Sequence, residues 1–245
     1  MKHAVTIVVR LALYQLQFSN QRTKNPHISD NRIKKMESFT PDSRLSCLMD
    51  FNFHPVMDLP EGIKGYTLLD LSKGESTSEY GDMVEWTIGR YNEVRPNMYT
   101  TELFSGIRNI HMGIDMGAPI NTPVFSFADG DVHSFGYNEA AGDYGNVVIL
   151  HYKLKELDLW ALYGHLSSAT IANSRLKIGQ SIKAGEVVGW IGAEEENGGW
   201  KPHVHFQLSL KEPLTHDMPG VVSEEDRAQA VLDYPHPFHV TGQLY

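Results

Sequence analysis

Between residues 110 and 210 the chain alternates short apolar runs with glycine turns, the pattern of a domain built from many strands. Residues 123–127 lead into the turn Ala128-Asp129-Gly130 and then into residues 131–135. Residues 146–152 and 159–163 are rich in β-branched and aromatic side chains. Residues 179–185 and 187–192 alternate strand with turn, and residues 203–210 alternate polar and apolar positions cleanly. This spacing predicts an all-β core, a mainly antiparallel sheet or open barrel. Helix is scarce: residues 224–232, with Ser223 as N-cap, are the best candidate.

Upstream, residues 39–108 mix short apolar runs with turn residues. Strands are expected over 66–71 and 84–91, a loop over 73–81, and a turn around Pro96. The chain therefore divides into an extension at 1–38, an N-terminal region at 39–108, a core domain at 109–210 and a C-terminal extension at 211–245. Residues 1–18 faintly resemble a signal peptide, but Arg10 breaks the apolar run and no small-residue cleavage site follows. Residues 1–38 are read as a disordered or spurious extension, and the balance leans to a cytoplasmic protein. No stretch has the roughly 20 apolar residues that a membrane span needs, so no transmembrane anchor is expected.

Composition narrows the function classes. A 245-residue chain with 41% hydrophobic and 21% charged residues can bury a full core. A net charge of −9 argues against nucleic acid as a partner, because phosphate binding wants clustered Lys and Arg. Cys47 is the only cysteine, which excludes an intrachain disulfide and a cysteine-built metal site.

The chemistry rests on histidine. His203 and His205 lie two apart in an expected strand, so both imidazoles leave one face while Val204 turns to the other. His111 and Asp115 are four apart, yet Gly113, Gly117 and Pro119 argue against a helix, and a strand entering a turn is the better reading. His165 follows a β-rich run, with Gly164 leaving room beside it. Four imidazoles and a carboxylate form a nitrogen-rich set of the kind zinc takes; a catalytic zinc keeps three protein ligands and one open position. His54, His133, His151, His216, His236 and His239 have no partner motif and are assigned to structure or surface. The helical His-Glu-x-x-His signature is absent.

The order His111-x-x-x-Asp115, Tyr163-Gly164-His165-Leu166 and His203-x-His205-Phe206 resembles the lysostaphin-like (LytM-type, Gly-Gly endopeptidase) zinc metallopeptidases. Residues 117–124, Ala128-Asp129-Gly130, residues 144–147 and residues 179–185 agree with the same family, so the resemblance covers about residues 110–208. It implies the duplicated hybrid-motif fold and one zinc ion held by His111, Asp115 and His205. It further implies His165 and His203 as the catalytic pair and hydrolysis of peptide bonds in peptidoglycan cross-links or similar small-residue peptides. With zinc lowering the pKa of water to about 7, a neutral imidazole can take its proton at neutral pH; His203, beside a ligand, is favoured as the base.

Two departures, one further candidate and two alternatives accompany the resemblance. Gln207 stands where the family often has Glu, and it is not a ligand. The loop at 193–202 replaces a small Ser/Thr/Gly loop, resembles that of endopeptidase-like domains fused to intracellular enzymes, and brings Trp200 and three acids, with Trp200 lining the cleft or packing on the barrel. Asn92 is a candidate latch over the cleft. A zinc-binding regulatory module without turnover is one alternative. A carrier hairpin around Lys183 is the other, disfavoured because Lys183 lacks the small or Met neighbours of such carriers.

Overall fold

The computed structural model describes residues 43–73, 86–172 and 176–245. The expected extension at 1–38, most of the loop at 73–81 and the start of the strand expected at 84–91 lie outside the described residues. The chain forms two compact units, Met1–Phe51 and Asn52–Tyr245. The described part of the first carries a 3-10 helix, Ser43–Asp50.

Strands dominate the second unit. They are β1 (Thr67–Leu68), β2 (Thr87–Gly89), β3 (Glu93–Val94), β4 (Ile110–His111), β5 (Ile114–Gly117), β6 (Pro123–Phe125) and β7 (Gly130–Asn138). They continue with β8 (Gly145–Leu154), β9 (Leu157–Leu166), β10 (Ser181–Ile182), β11 (Val187–Trp190), β12 (His203–Ser209) and β13 (Val221–Val222). The main sheet has eight strands in the order β1-β2-β5-β12-β9-β8-β7-β10. A three-stranded sheet, β13-β4-β3, and a β11-β6 pair complete it. Apart from the parallel β1–β2 pair, every pairing is antiparallel, as the turn spacing predicts.

Alternation sorts the side chains of β12. Val204, Phe206 and Leu208 are fully buried on one face, with Phe206 paired across to Tyr163 and Val204 to Met116. Phe127 stacks on Tyr152 at 4.0 Å, and Tyr163 lies 5.2 Å from Phe206. The two buried tyrosines satisfy each other, hydroxyl to hydroxyl at 2.7 Å, while Ser126 Oγ meets Tyr152 at 2.9 Å. Each such aromatic contributes about 1.5–3 kcal/mol by burial. His203, His205 and Gln207 take the opposite face, beside the apolar group Tyr144, Val147, Ile149, Leu162 and Met218. β8 is buried almost throughout because both of its faces are covered, which is why it reads as a continuous apolar run rather than an alternating one.

Some expectations shift. Residues 66–71 supply only the two-residue β1, and residues 71–73 turn as a 3-10 helix. The helices are α1 (Ser168–Ala172), α2 (Arg227–Asp233) and α3 (Phe238–Thr241). α2 begins three residues later than expected, because Ser223 Oγ accepts the Asp226 N–H at 3.2 Å and ties 224–226 into a turn. Lys183 Nζ donates to Asp129 Oδ2 at 2.9 Å, and Asp129 Oδ1 accepts the Ala184 N–H, so this lysine fastens two turns together.

Candidate metal centre

The β5–β12 register sets Asp115 opposite His205 and Gly117 opposite His203. On the other side of β12, His205 faces Gly164. Gly117 beside His203 and Gly164 beside His205 leave the imidazoles room to lean inward. His111 arrives from the smaller sheet: β4 ends at His111, and Met112-Gly113 carries the chain across to β5. Gly113 permits that close passage, since a Cβ there would lie 2.6 Å from His205 Cε1 and Nε2. His111 and Asp115 thus come from two short strands of different sheets rather than one helix.

His165 reaches the same face by a different device. Simple alternation from Tyr163 would send it to the apolar side with Phe206. The β8–β9 register shifts between Asn146 and Val148, and His165 adopts a left-handed φ of 62°. This bulge re-aims the imidazole. Its ring lies 4.3 Å from His203 and 6.2 Å from His205.

Three ligand atoms converge. His111 Nε2 lies 2.9 Å from His205 Nδ1 and 3.0 Å from Asp115 Oδ1, and His205 Nδ1 lies 3.0 Å from the same oxygen. The far ring nitrogens are committed: His111 Nδ1–H donates to Arg90 O at 2.9 Å, and His205 Nε2–H donates to Gln207 Oε1 at 3.0 Å. Burial, joined by the nearby Arg95 charge, pushes the His111 pKa down to about 4, so this imidazole is neutral at pH 7. With the far nitrogens so committed, His111 Nε2, His205 Nδ1 and Asp115 Oδ1 are turned toward one another, a donor set that suits a cation. Ligands about 2.0–2.1 Å from a tetrahedral ion sit about 3.3 Å apart, so the three atoms need to part by only a few tenths of an ångström. Among the described residues, His111, Asp115 and His205 are the one group of His, Cys, Asp or Glu side chains placed to share an ion.

Burial works against the Asp115 charge, but His111 and Arg95 outweigh it and hold the carboxyl well below its usual range. His165 and His203 are oriented alike: each donates Nδ1–H to a backbone carbonyl, Asn197 O at 2.7 Å and Lys201 O at 2.6 Å. Each Nε2 is left for the cleft, and that of His203 lies 3.6 Å from Asp115 Oδ1. Burial lowers the pKa of both, with His203 and His205 adding to the effect on His165. The five residues singled out by sequence thus meet at one place, in a cavity of about 870 Å³ that also includes Tyr99, Tyr144, Trp200 and Lys201.

The remaining expectations sort plainly. Trp200 lines the cavity, its indole N–H donating to Gly142 O at 3.1 Å and its ring 5.9 Å from Tyr99. Of the three acids, Glu194 pairs with Lys201, while Glu196 accepts the Ser168 N–H at the start of α1. Asn92, the candidate latch, does not line the cavity: its Oδ1 accepts from Arg227 Nε at 2.8 Å and its backbone N–H donates to His111 O at 2.7 Å. His151 pairs with Asp158, His133 with Glu212, and His236 packs on Tyr91.

Sequence reasoning missed two residues. Gln207 is no ligand, yet it orients one, its amide nitrogen donating to Pro219 O at 3.3 Å so that its oxygen must face His205. Its place two after His205 on one strand face was the available signal. Gln207→Leu is expected to weaken zinc binding by about 10–100-fold while leaving the fold intact. Chelator competition would measure it, and an unchanged affinity would remove Gln207 from the site. The other is Arg95, whose surroundings in the chain carry no such signal.

Residues 109–216 match the sequence pattern that defines Peptidase family M23. The chain is 34% identical over 101 residues to the DD-carboxypeptidase/endopeptidase Mpg of Neisseria meningitidis, covering 41% of this chain and 20% of that protein. It is 30% identical over 126 residues to the peptidoglycan DD-endopeptidase ShyC of Vibrio cholerae, covering 49% and 25%. It is 32% identical over 98 residues to lysostaphin of Staphylococcus simulans, covering 40% and 18%. The chain thus spans a quarter or less of the length of these curated relatives. The solved catalytic domain of lysostaphin from Staphylococcus simulans overlaps 59% of this chain and 92% of its own length, at 22% identity and a TM-score of 0.40. That score is too low to carry weight, and the fold stands on the strand pairing itself.

Proposed function

With residues 109–216 a Peptidase family M23 domain, we propose that the chain is a zinc-dependent metalloendopeptidase. Its substrates are peptide bonds in peptidoglycan cross-links or similar small-residue peptides. One observation carries the reading: His111 Nε2, Asp115 Oδ1 and His205 Nδ1 lie within 3.0 Å of one another, beside two further imidazoles in the same cleft. Zinc suits a donor set of two nitrogens and one oxygen. Bound there, it would supply Lewis acidity toward a carbonyl and lower the pKa of water to about 7.

The chain's own residues do the rest. His203, neutral and with Nδ1–H committed to Lys201 O, takes a proton at Nε2 beside the ligand cluster. His165, held by Asn197 O and with its ring 4.3 Å from that of His203, relays that proton to the leaving amine or, while carrying it, stabilises the developing oxyanion. Residues 109–210 carry the chemistry, and the flanking regions 39–108 and 211–245 bring strands to its borders. A regulatory module without turnover is less favoured, because every ligand and both proton-handling imidazoles are retained.

The test is zinc analysis of the purified chain, followed by digestion of purified peptidoglycan and of peptides with glycyl and D-alanyl linkages. One zinc per chain and new amine termini are expected, both lost with a chelator. Absence of zinc, or tight zinc without cleavage anywhere in the panel, overturns the proposal.

A further inference from the structure

We infer that Arg95 is a positioning residue for the metal centre: it occupies Asp115 Oδ2, so that the aspartate offers the ion Oδ1 alone. The inference rests on the zinc reading above and extends it to a residue upstream of the family match. Arg95 is 1% exposed, a costly place for a guanidinium unless it is fully engaged. Its Nη1 donates to Asp115 Oδ2 at 2.7 Å and to Tyr99 OH at 2.9 Å, and its Nε donates to Glu93 Oε2 at 3.0 Å.

Gly89 makes the placement possible. It pairs with Asp115 across β2 and β5. A Cβ at Gly89 would lie 2.6 Å from Arg95 Nη2 and 3.2 Å from Asp115 Oδ2. Arg95 Nη2 itself has no hydrogen-bond partner, so the guanidinium is placed for its Nε and Nη1 contacts rather than to satisfy every donor.

Charge separates positioning from simple neutralisation. An unbalanced cation against a metal ligand would repel a divalent ion. Glu93, 6% exposed, accepts from Arg95 Nε at 3.0 Å and from Arg90 Nη1 at 3.1 Å, and so offsets part of the Arg95 charge. What Arg95 adds is geometry: one charge-assisted N–H on Asp115 Oδ2, from a guanidinium whose position Glu93 and Tyr99 fix. The same short stretch grips a second ligand, since Arg90 O accepts the His111 Nδ1–H. Residues 90–95 thus hold two of the three ligands from their outer sides.

The experiment compares the full chain with R95M and R95K. Zinc affinity is read by chelator competition, coordination by the visible absorption of the cobalt(II)-substituted protein, and folding by melting of the metal-free forms. In R95M the freed Oδ2 can join the ion, so the strong absorption of four-coordinate cobalt falls toward the weaker five-coordinate level. Zinc affinity drops about 10–100-fold. R95K keeps the charge without the planar guanidinium held by Glu93 and Tyr99, and is expected to fall between. If R95M does not fold, R95K decides. Cobalt spectra matching wild type, with zinc affinities within about twofold, overturn the inference even when the wild type binds zinc and cleaves. A wild type that binds no zinc overturns the functional reading, and this inference with it.

Discussion

Alanine at His111 or Asp115 is expected to empty the chain of zinc and to lower kcat/KM by at least about a thousandfold, corresponding to roughly 4 kcal/mol. The argument is one of counting. Three converging atoms define the site, all within 3.0 Å of one another, and removing either one leaves two donors and a widened gap. The two variants differ in a second readout. Asp115→Ala also strips the buried Arg95 of its 2.7 Å partner, and breaking such a pair costs about 3–5 kcal/mol. Its melting temperature therefore drops in the metal-free state, whereas that of His111→Ala changes less. Elemental analysis and peptide cleavage assays check the first effect, and calorimetry of apo protein the second. Undiminished zinc and hydrolysis in both variants would sink the ligand assignment.

His203→Ala and His165→Ala should separate metal binding from turnover. Zinc content stays near wild type, while kcat falls about 10²–10⁴-fold, the usual worth of a positioned proton carrier. Both rings are fixed by Nδ1–H bonds to backbone carbonyls, so each presents one defined nitrogen to the cleft. Burial lowers both pKa values, which places the acid limb of the kcat/KM profile below pH 6.5: activity falls only where the imidazoles protonate and can no longer accept a proton. Because the rings lie 4.3 Å apart and act on one reaction, the double variant should be little worse than the poorer single one. Loss of zinc in either single variant would make that histidine a ligand instead.

The strands and the five central residues were readable from the chain because their signals are local. His203 and His205 share a face by the two-residue period of a strand, and glycines beside histidines mark the close approaches. What stayed hidden depends on contacts distant in sequence. The bulge that turns His165 across the sheet leaves no period to read, since simple alternation from Tyr163 points the other way. Arg95 sits in a stretch that shows no chemistry until folding sets it under Asp115, twenty residues away. Asn92 misled because an exposed-looking amide near the cleft has no sequence mark of its real partner, Arg227. Gln207 was passed over because only ligands were sought, although its strand position already put it on the face of His205.

His111 belongs to the three-stranded sheet, whereas Asp115 and His205 belong to the eight-stranded one. A captured ion is therefore a rivet through the seam between two sheets, and its binding energy reinforces that joint directly. Without an ion at this seam, β4 and its partners β3 and β13 would lose one tie to the larger sheet.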